Sequence, residues 1–455
     1  METTLELALF VLVGLTGLLV MRLGWSRSKG REQDFPPLFF GLWLVSTVVW
    51  NTFFSSVHIP GLFDISIERI LFLVLICSCF MQGKRERVVM PRVNHSIELW
   101  MAIFLLVCIV SMSINGFEAI HPVYPKPWFI FFTSYLVPFI GFLYTKYFLR
   151  DDRAIRFVMT TFFVLGVYLS LTAFFERAKI NFLVFPAYIL DPHVLMHLDR
   201  ARGPFLNAAF NGLGMTIGFV AGVYLLPRFR GGKRLLMLLL LGLFFPAIFI
   251  TYTRSTYLGF LLVLGALLFV YRTHVSKWKL TPIIISLAVV LTVANSGKLF
   301  SSNRSSGGIA EMREVEIRFQ LIDRSYKLFE SHPFFGVGLA HFSVAESSPD
   351  ALQDAQHNHL IGMAVELGVV GASCYLVILI LIFRRLYALA KDPRNDTVER
   401  ANQIIMLCTV FTVNLLTNIF VEPAYCEFIN VNTFVFAGII DRFYSQPDIL
   451  DGPDA

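Results

Sequence analysis

The sequence predicts an all-α polytopic membrane protein, and three observations carry that prediction. Of the 455 residues, 56% are hydrophobic and 15% charged, with a mean hydropathy of +0.66. Too few polar residues remain to coat a soluble globule of this length. The apolar residues fall in blocks of about twenty, enough at ~1.5 Å rise per residue to cross about 30 Å of hydrocarbon. The blocks are continuous rather than alternating, which excludes the strands of a membrane β-barrel.

Taken in order, the spans are 5–22, 36–54, 65–81, 97–114, 127–148, 155–175, 207–226, 234–252, 256–271, 280–296, 358–383, 401–420 and 427–441. The first lacks a basic leading segment and a small-residue cleavage site, with Glu2 and Glu6 preceding or opening it, so it reads as a retained helix. One polar loop runs from about Arg177 to Leu206. The longest polar stretch, 297–356, contains S-S-N-R-S-S-G-G (301–308), a linker composition. Beyond it Ile317, Leu321, Tyr326 and Leu328 recur at near-helical spacing, which predicts an amphipathic helix lying at the membrane interface. No internal repeat is detectable, and the chain reads as one integral membrane domain, 1–455.

Charge sets the expected orientation. Basic clusters follow every second span, such as Lys84 to Arg92, Lys146 to Arg156 and Arg384 to Arg400. The short loops between them (55–64, 115–126, 421–427) carry at most one Lys or Arg each. The positive-inside rule then puts the N-terminus outside and the C-terminus inside. The net charge of +6 reads as topology signal and headgroup contact, and no nucleic-acid motif accompanies it. The six cysteines have no metal-ligand spacing and read as small packing residues.

Against that bias, several arginines fall on the expected outer side. Arg200 and Arg202 precede the seventh span in R-A-R-G-P-F-L-N, which includes Asn207. Arg254 sits in the turn T-Y-T-R-S-T-Y, and Arg318 and Arg324 lie on the amphipathic segment. His357 and Asn358 open the eleventh span in H-N-H-L-I-G-M-A-V-E-L-G-V-V-G, with Glu366 on the same helical face as His359. Guanidinium forks match phosphate oxygens bidentately. An imidazole beside them is held neutral and suits a general base for an attacking hydroxyl. The phosphate-binding candidates are therefore Arg202, Arg254 and Arg318, and the catalytic candidate is His357. Asn207, Asn358, Glu366 and Arg324 are candidates for a supporting shell. Several have a plainer reading: Arg254 as a lipid anchor, His357 as a helix-start interfacial residue, Arg200 and Arg324 as headgroup-facing or solvated, Glu366 as a packing partner, and His332 and His341 as loop histidines. Gly336, Gly338, Gly368 and Gly371 read as turn or close-approach residues.

These segments resemble the O-antigen ligase and Wzy-type polymerase family. The resemblance rests on R-G-P-F-L-N at Arg202–Asn207, the Thr253-Arg254-Ser255 turn, Arg318 fifteen positions before Pro333, the P-F-F-G-V-G-L loop and H-N-x9-G-x-x-G from His357. It covers 200–371. The turn departs from the family in Thr253 and Thr256, and Ile322 stands where a Trp is frequent. The resemblance implies a GT-C-like fold and a metal-independent inverting transfer, without cofactor. The donor would be an undecaprenyl-pyrophosphate-linked glycan and the acceptor a glycan or lipid A-core hydroxyl. By motif Arg202, Arg254 and Arg318 would grip the pyrophosphate, and His357 would assist the acceptor. The implied location is the bacterial inner (plasma) membrane, multi-pass, with the site facing the periplasm. Ligation is the first reading and polymerisation the alternative. A flippase or exporter of lipid-linked sugars is more distant, since a transporter should bury charge near the midplane and show related halves.

Overall fold

The structure, a computed structural model, describes residues 35–51, 54, 56–57, 65–85, 95–118, 126–149, 152–193, 197–271, 313–342, 358–392, 398–420 and 426–445. Within them the regular secondary structure is helical apart from a two-residue antiparallel pair, Ser56–Val57 with Ile65–Ser66. The helices are α1 (Phe35–Val49), α2 (Ile67–Arg85), α3 (Ser96–Asn115), α4 (Pro127–Phe148), α5 (Asp152–Arg177), α6 (Ala208–Leu225), α7 (Gly231–Phe249), α8 (Arg254–Tyr271), α9 (Arg313–Ser331), α10 (His359–Lys391), α11 (Val398–Phe420) and α12 (Glu427–Ser445). The expected spans at 5–22 and 280–296, and the linker at 301–308, lie outside the described residues. Every other expected span falls on a helix. Six helices (α3, α4, α5, α6 with its extension to Arg228, α7 and α10) are long and apolar enough to cross a membrane.

The bundle is built around α12 and α6. Every residue of α12 from Phe428 to Phe443 is buried, as is all of α6 except Val223. A helix apolar on all sides belongs in the middle of a bundle. α12 packs chiefly on α4, α6 on α5, α10 on α3, and α8 on α11. Close approach relies on missing side chains: a Cβ on Gly218 would sit 2.6 Å from the Cα of Gly166 across the α5–α6 contact. The perimeter carries bare hydrocarbon instead, with Leu99, Leu106 and Ile114 on α3 and Leu235, Leu236 and Leu239 on α7 all exposed. Such a surface suits acyl chains and is unsuited to water.

α4 is irregular. Phe131–Leu136 forms a π turn, closed by the Val137 N–H donating to Phe132 O. It ends beside Pro138, which has no N–H to give and crowds the carbonyl four residues back. The turn sets Tyr135 against α10, as described below.

The two ends of the bundle differ in chemistry. At one end α3, α4, α10 and α12 meet in a buried ionic network. Lys146 Nζ contacts Asp441 Oδ2 at 2.8 Å and also Glu98, while Arg385 pairs with the other Asp441 oxygen. Tyr147 donates to Glu98 Oε1 at 2.8 Å, Arg385 to Ser96 Oγ at 3.2 Å and Arg442 to Lys146 O at 3.3 Å. Asp441 is 0% exposed, Lys146 1% and Arg385 5%. Two basic residues thus fall outside the general expectation of topology signals and headgroup contacts. Lys146 and Arg385 are interior ions that tie four helices together.

Candidate functional site

The other end gathers the sequence motifs. It holds the C-termini of α1, α3, α5, α7 and α11 and the N-termini of α2, α4, α6, α8, α10 and α12. Direct contacts join these ends: Asn51 to Pro204 O at 3.2 Å, Leu339 N to Ser111 Oγ at 3.1 Å, and Phe205 stacked on Phe428 with centroids 5.3 Å apart.

The R-A-R-G-P-F-L-N segment is a strap across this end, and Arg202 is its rivet. The side chain is 1% exposed. Its Nε and Nη2 donate to Ile189 O at 3.0 and 2.8 Å, and Nη2 to Asp191 O at 2.7 Å. The backbone N–H groups of Arg202 and Gly203 each donate to one oxygen of Glu176, both at 3.1 Å. Burial lowers the Arg202 pKa from its ordinary value, opposed by the Glu176 and Asp191 carboxylates. Sequence reading assigned this fork to phosphate. In the structure its Nε and Nη2 rest on the main-chain carbonyls of Ile189 and Asp191, in and just after the Ala187–Leu190 turn. Asn207, expected in a supporting shell, caps α6: its Oδ1 accepts from Ala209 N at 2.9 Å and Phe210 N at 3.4 Å. Arg202→Lys should therefore lower stability by about 1–3 kcal/mol, because an ammonium cannot reach both carbonyls as the fork does. Thermal unfolding in lipid nanodiscs checks this, and an unshifted midpoint would deny the rivet.

The strap is laced to the α7–α8 turn by Ala201 N donating to Ile250 O at 3.2 Å. That bond brings Arg200 and Arg202 beside the turn that carries Arg254, the first residue of α8. Arg254 is half-buried, and Thr256 in the same turn reaches Ala209 O at 3.5 Å. Arg200, expected at headgroups, is 7% exposed, lies 3.7 Å from the Asp199 carboxylate and is an electrostatic neighbour of the Tyr257 phenol. Arg177 reinforces the same corner, donating to Asp199 O at 2.9 Å and lying 5.3 Å over the Tyr252 ring.

α9 is the expected amphipathic helix. Its buried face sets Leu321, Ile317, Leu328 and Phe329 against Phe342, Val337, Ile361 and Val365. Tyr326, expected on that face, is 64% exposed, because it lies about 140° around the wheel from Leu321. Arg318 Nη2 donates to Phe420 O at 3.2 Å, at the last residue of α11. α11 packs on α8, so Arg318 and Arg254 belong to neighbouring helix ends. Arg324 donates to Phe342 O at 3.4 Å and sits 5.1 Å over that ring, so it holds the loop after α9.

That loop, Pro333 to Phe342, docks on a break in α10. Gly368 adopts φ 64° and ψ −169° and interrupts the helix. The loop supplies what the break leaves open. Val337 N donates to Val365 O at 2.9 Å and Gly338 N to Glu366 O at 3.0 Å. Val369 N donates to Pro333 O at 2.9 Å and Val370 N to Phe334 O at 3.3 Å. The Glu366 side chain accepts from Phe342 N at 3.3 Å, the packing role that its sequence context allowed. Asn358 caps α10 by accepting from Ile361 N at 3.0 Å. His357 lies outside the described residues.

Sequence reading missed three features here. His359, two positions past the catalytic candidate, is buried between Tyr135, stacked at 6.3 Å, and Tyr375, edge-on at 5.5 Å. Nothing in the sequence marks the π turn that delivers Tyr135. Glu176, which receives the Arg202 and Gly203 N–H groups, is not singled out by any motif. Glu68 and Glu427, hydrogen-bonded to each other with Arg69 adjacent, join α2 to α12. His341 is buried with its Nδ1 2.7 Å from Leu339 O, while His332 is exposed. Among the described residues no group of His, Cys, Asp and Glu could hold a metal ion.

Residues 236–376 match the family model described as O-antigen ligase (Wzy_C). The match runs from within α7 to the middle of α10 and includes Arg254, Arg318, Arg324, His357, Asn358 and Glu366. Arg202 and Asn207 precede it. The match covers less than a third of the chain, and the described residues around it form a bundle with helices long and apolar enough to cross a membrane. No curated protein matches the chain.

Proposed function

We propose that this chain, which carries an O-antigen ligase-type domain, transfers a glycan from undecaprenyl pyrophosphate to an acceptor hydroxyl. Transfer would take place at the periplasmic face of a bacterial inner membrane. The observation that carries the proposal is the gathering of Arg200, Arg254, Arg318 and the start of α10 at one end of the bundle. The buried ions Lys146, Arg385 and Asp441 occupy the opposite end. A transporter of the same lipid would need its charges near the middle of the membrane.

In this reading the acceptor oxygen attacks the anomeric carbon as the bond from that carbon to the phosphate oxygen breaks. His357 takes the hydroxyl proton, and Arg254 and Arg318 meet the charge that grows on the departing pyrophosphate. Arg202, assigned to phosphate from sequence, becomes the residue that shapes the strap beneath them. Asn207, Asn358, Glu366 and Arg324 act by holding helix starts and the loop.

The test uses the purified protein in nanodiscs with lipid-linked glycan and lipid A-core acceptor. Arg254→Lys should lose about 10²-fold in transfer, because an ammonium cannot reproduce bidentate contact. His357→Ala should lose about 10² or more. Parent rates in both variants would remove these residues from the mechanism. A single added glycan identifies a ligase, whereas a ladder of products identifies the polymerase.

A further inference from the structure

Several serine and threonine hydroxyls inside this bundle are satisfied locally, whereas several asparagine amides are not. Thr216 donates to Gly212 O at 2.8 Å, Thr433 to Ile429 O at 3.1 Å and Ser170 to Gly166 O at 2.9 Å, each satisfied by its own helix. Asn414 and Asn432 are both 0% exposed, and among the described residues neither Nδ2 nor Oδ1 of either has a hydrogen-bond partner. The Oδ1 atoms of Asn211 and Asn418, at 0% and 4% exposure, are also without one.

These four asparagines are on α6, α11 and α12, which pack against one another. Asn211 is the fourth residue of α6, Asn432 the sixth of α12, and Asn414 and Asn418 fall in the last seven of α11. All are within two turns of the arginine end. Asn211 is tied to it directly, its Nδ2 donating to Ala201 O at 3.0 Å between Arg200 and Arg202.

An unmatched amide in a membrane interior is strongly disfavoured, and such groups persist where something outside the fold matches them. The pattern of need is specific. Four carbonyl oxygens call for donors, and two amide nitrogens call for acceptors. Phosphate and carboxylate offer acceptors only, and a polyprenyl chain offers neither. A hydroxyl offers both.

We propose that the seam between α6, α11 and α12 is a subsite for a neutral, hydroxyl-rich ligand, the glycan portion of the substrate handled at the arginine end. This assignment rests on the transfer reading above. Ordered water supplies the same O–H groups, so the test separates the two sources.

Full-length protein in nanodiscs is melted with glucose, galactose, N-acetylglucosamine or maltose, and separately with inorganic pyrophosphate. At least one sugar should raise the melting temperature of the parent. Asn432→Leu should bind that sugar about 10-fold or more weakly and lose the rise, while keeping the pyrophosphate shift. Without ligand, Asn432→Leu should melt no lower than the parent, since an apolar isostere replaces an unmatched amide. If that variant does not fold, Asn414→Leu on the neighbouring helix makes the same comparison. Equal sugar shifts in parent and variant, or none in the parent, overturn the subsite. Hydroxyl-radical labelling of 431–434 that sugars leave unchanged means hydration alone and also overturns it. A sugar shift lost in the variant with no pyrophosphate shift in the parent supports the subsite and overturns only the phosphate reading.

Discussion

Gly368→Ala should cost the fold more than about 3 kcal/mol and abolish glycan transfer. Two penalties add at this residue. Its φ of 64° with ψ −169° is a conformation that side chains disfavour by about 1–3 kcal/mol. A Cβ there would also overlap Phe334 O and C and lie 2.6 Å from Phe335 N, all main-chain atoms that cannot rotate away. Relief requires the Pro333–Phe342 loop to lift from α10, and the loop is the continuation of α9 that carries Arg318. Gly371, the other glycine of the same motif, is the control. Gly371 has no left-handed φ, and a Cβ there meets one residue, lying 2.3 Å from the Cβ of Leu367, so the conformational penalty is absent and Gly371→Ala should be the milder change. The checks are melting temperature, proteolysis between 313 and 342, and transfer rate. An intact loop and parental melting in Gly368→Ala would refute the account.

Asp441→Asn should destabilise the protein by about 3–5 kcal/mol. Asp441 is fully buried and balances two cations, Lys146 at 2.8 Å and Arg385. Removing its charge leaves Glu98 as the one carboxylate among these four groups. The interior cannot hydrate the excess positive charge. Adding Lys146→Met to Asp441→Asn should recover part of the loss, because it removes the cation that lost its partner. Melting of the single and double variants measures both effects, and a double variant no more stable than Asp441→Asn would contradict the pairing.

The sequence was most legible where physics is local. Unbroken apolar runs mark helices because a backbone in hydrocarbon must bond to itself, and the α9 pattern appears in Ile317, Leu321 and Leu328. The motif segments were legible as a set, and the structure brings the described ones to one end. Their individual roles were harder to read. Arg202 and Arg254 look alike on paper, yet one is riveted to the carbonyls of Ile189 and Asp191 and the other opens a helix. That difference depends on how the loop folds back at 187–190 onto its own later residues. Lys146 and Arg385 depart from the general reading of the basic residues for a related reason. Their counter-ion Asp441 is remote in sequence, and a basic residue near a span end gives the same topology signal whether buried or wet. His359 and Tyr135 meet only because α4 makes a π turn, and a one-residue change of phase leaves no mark in hydropathy.

The junction between α9 and α10 is made of main-chain atoms, with four amide-to-carbonyl bonds between Pro333–Gly338 and Val365–Val370. Side chains along the loop can therefore change widely without shifting the distance from Arg318 to the opening of α10. Val337→Pro is another matter, since it deletes one of those donors while leaving the charge untouched. Alignment of the guanidinium with the start of α10 is in this sense inherited from peptide geometry, and it would survive a thorough redesign of the surface around it.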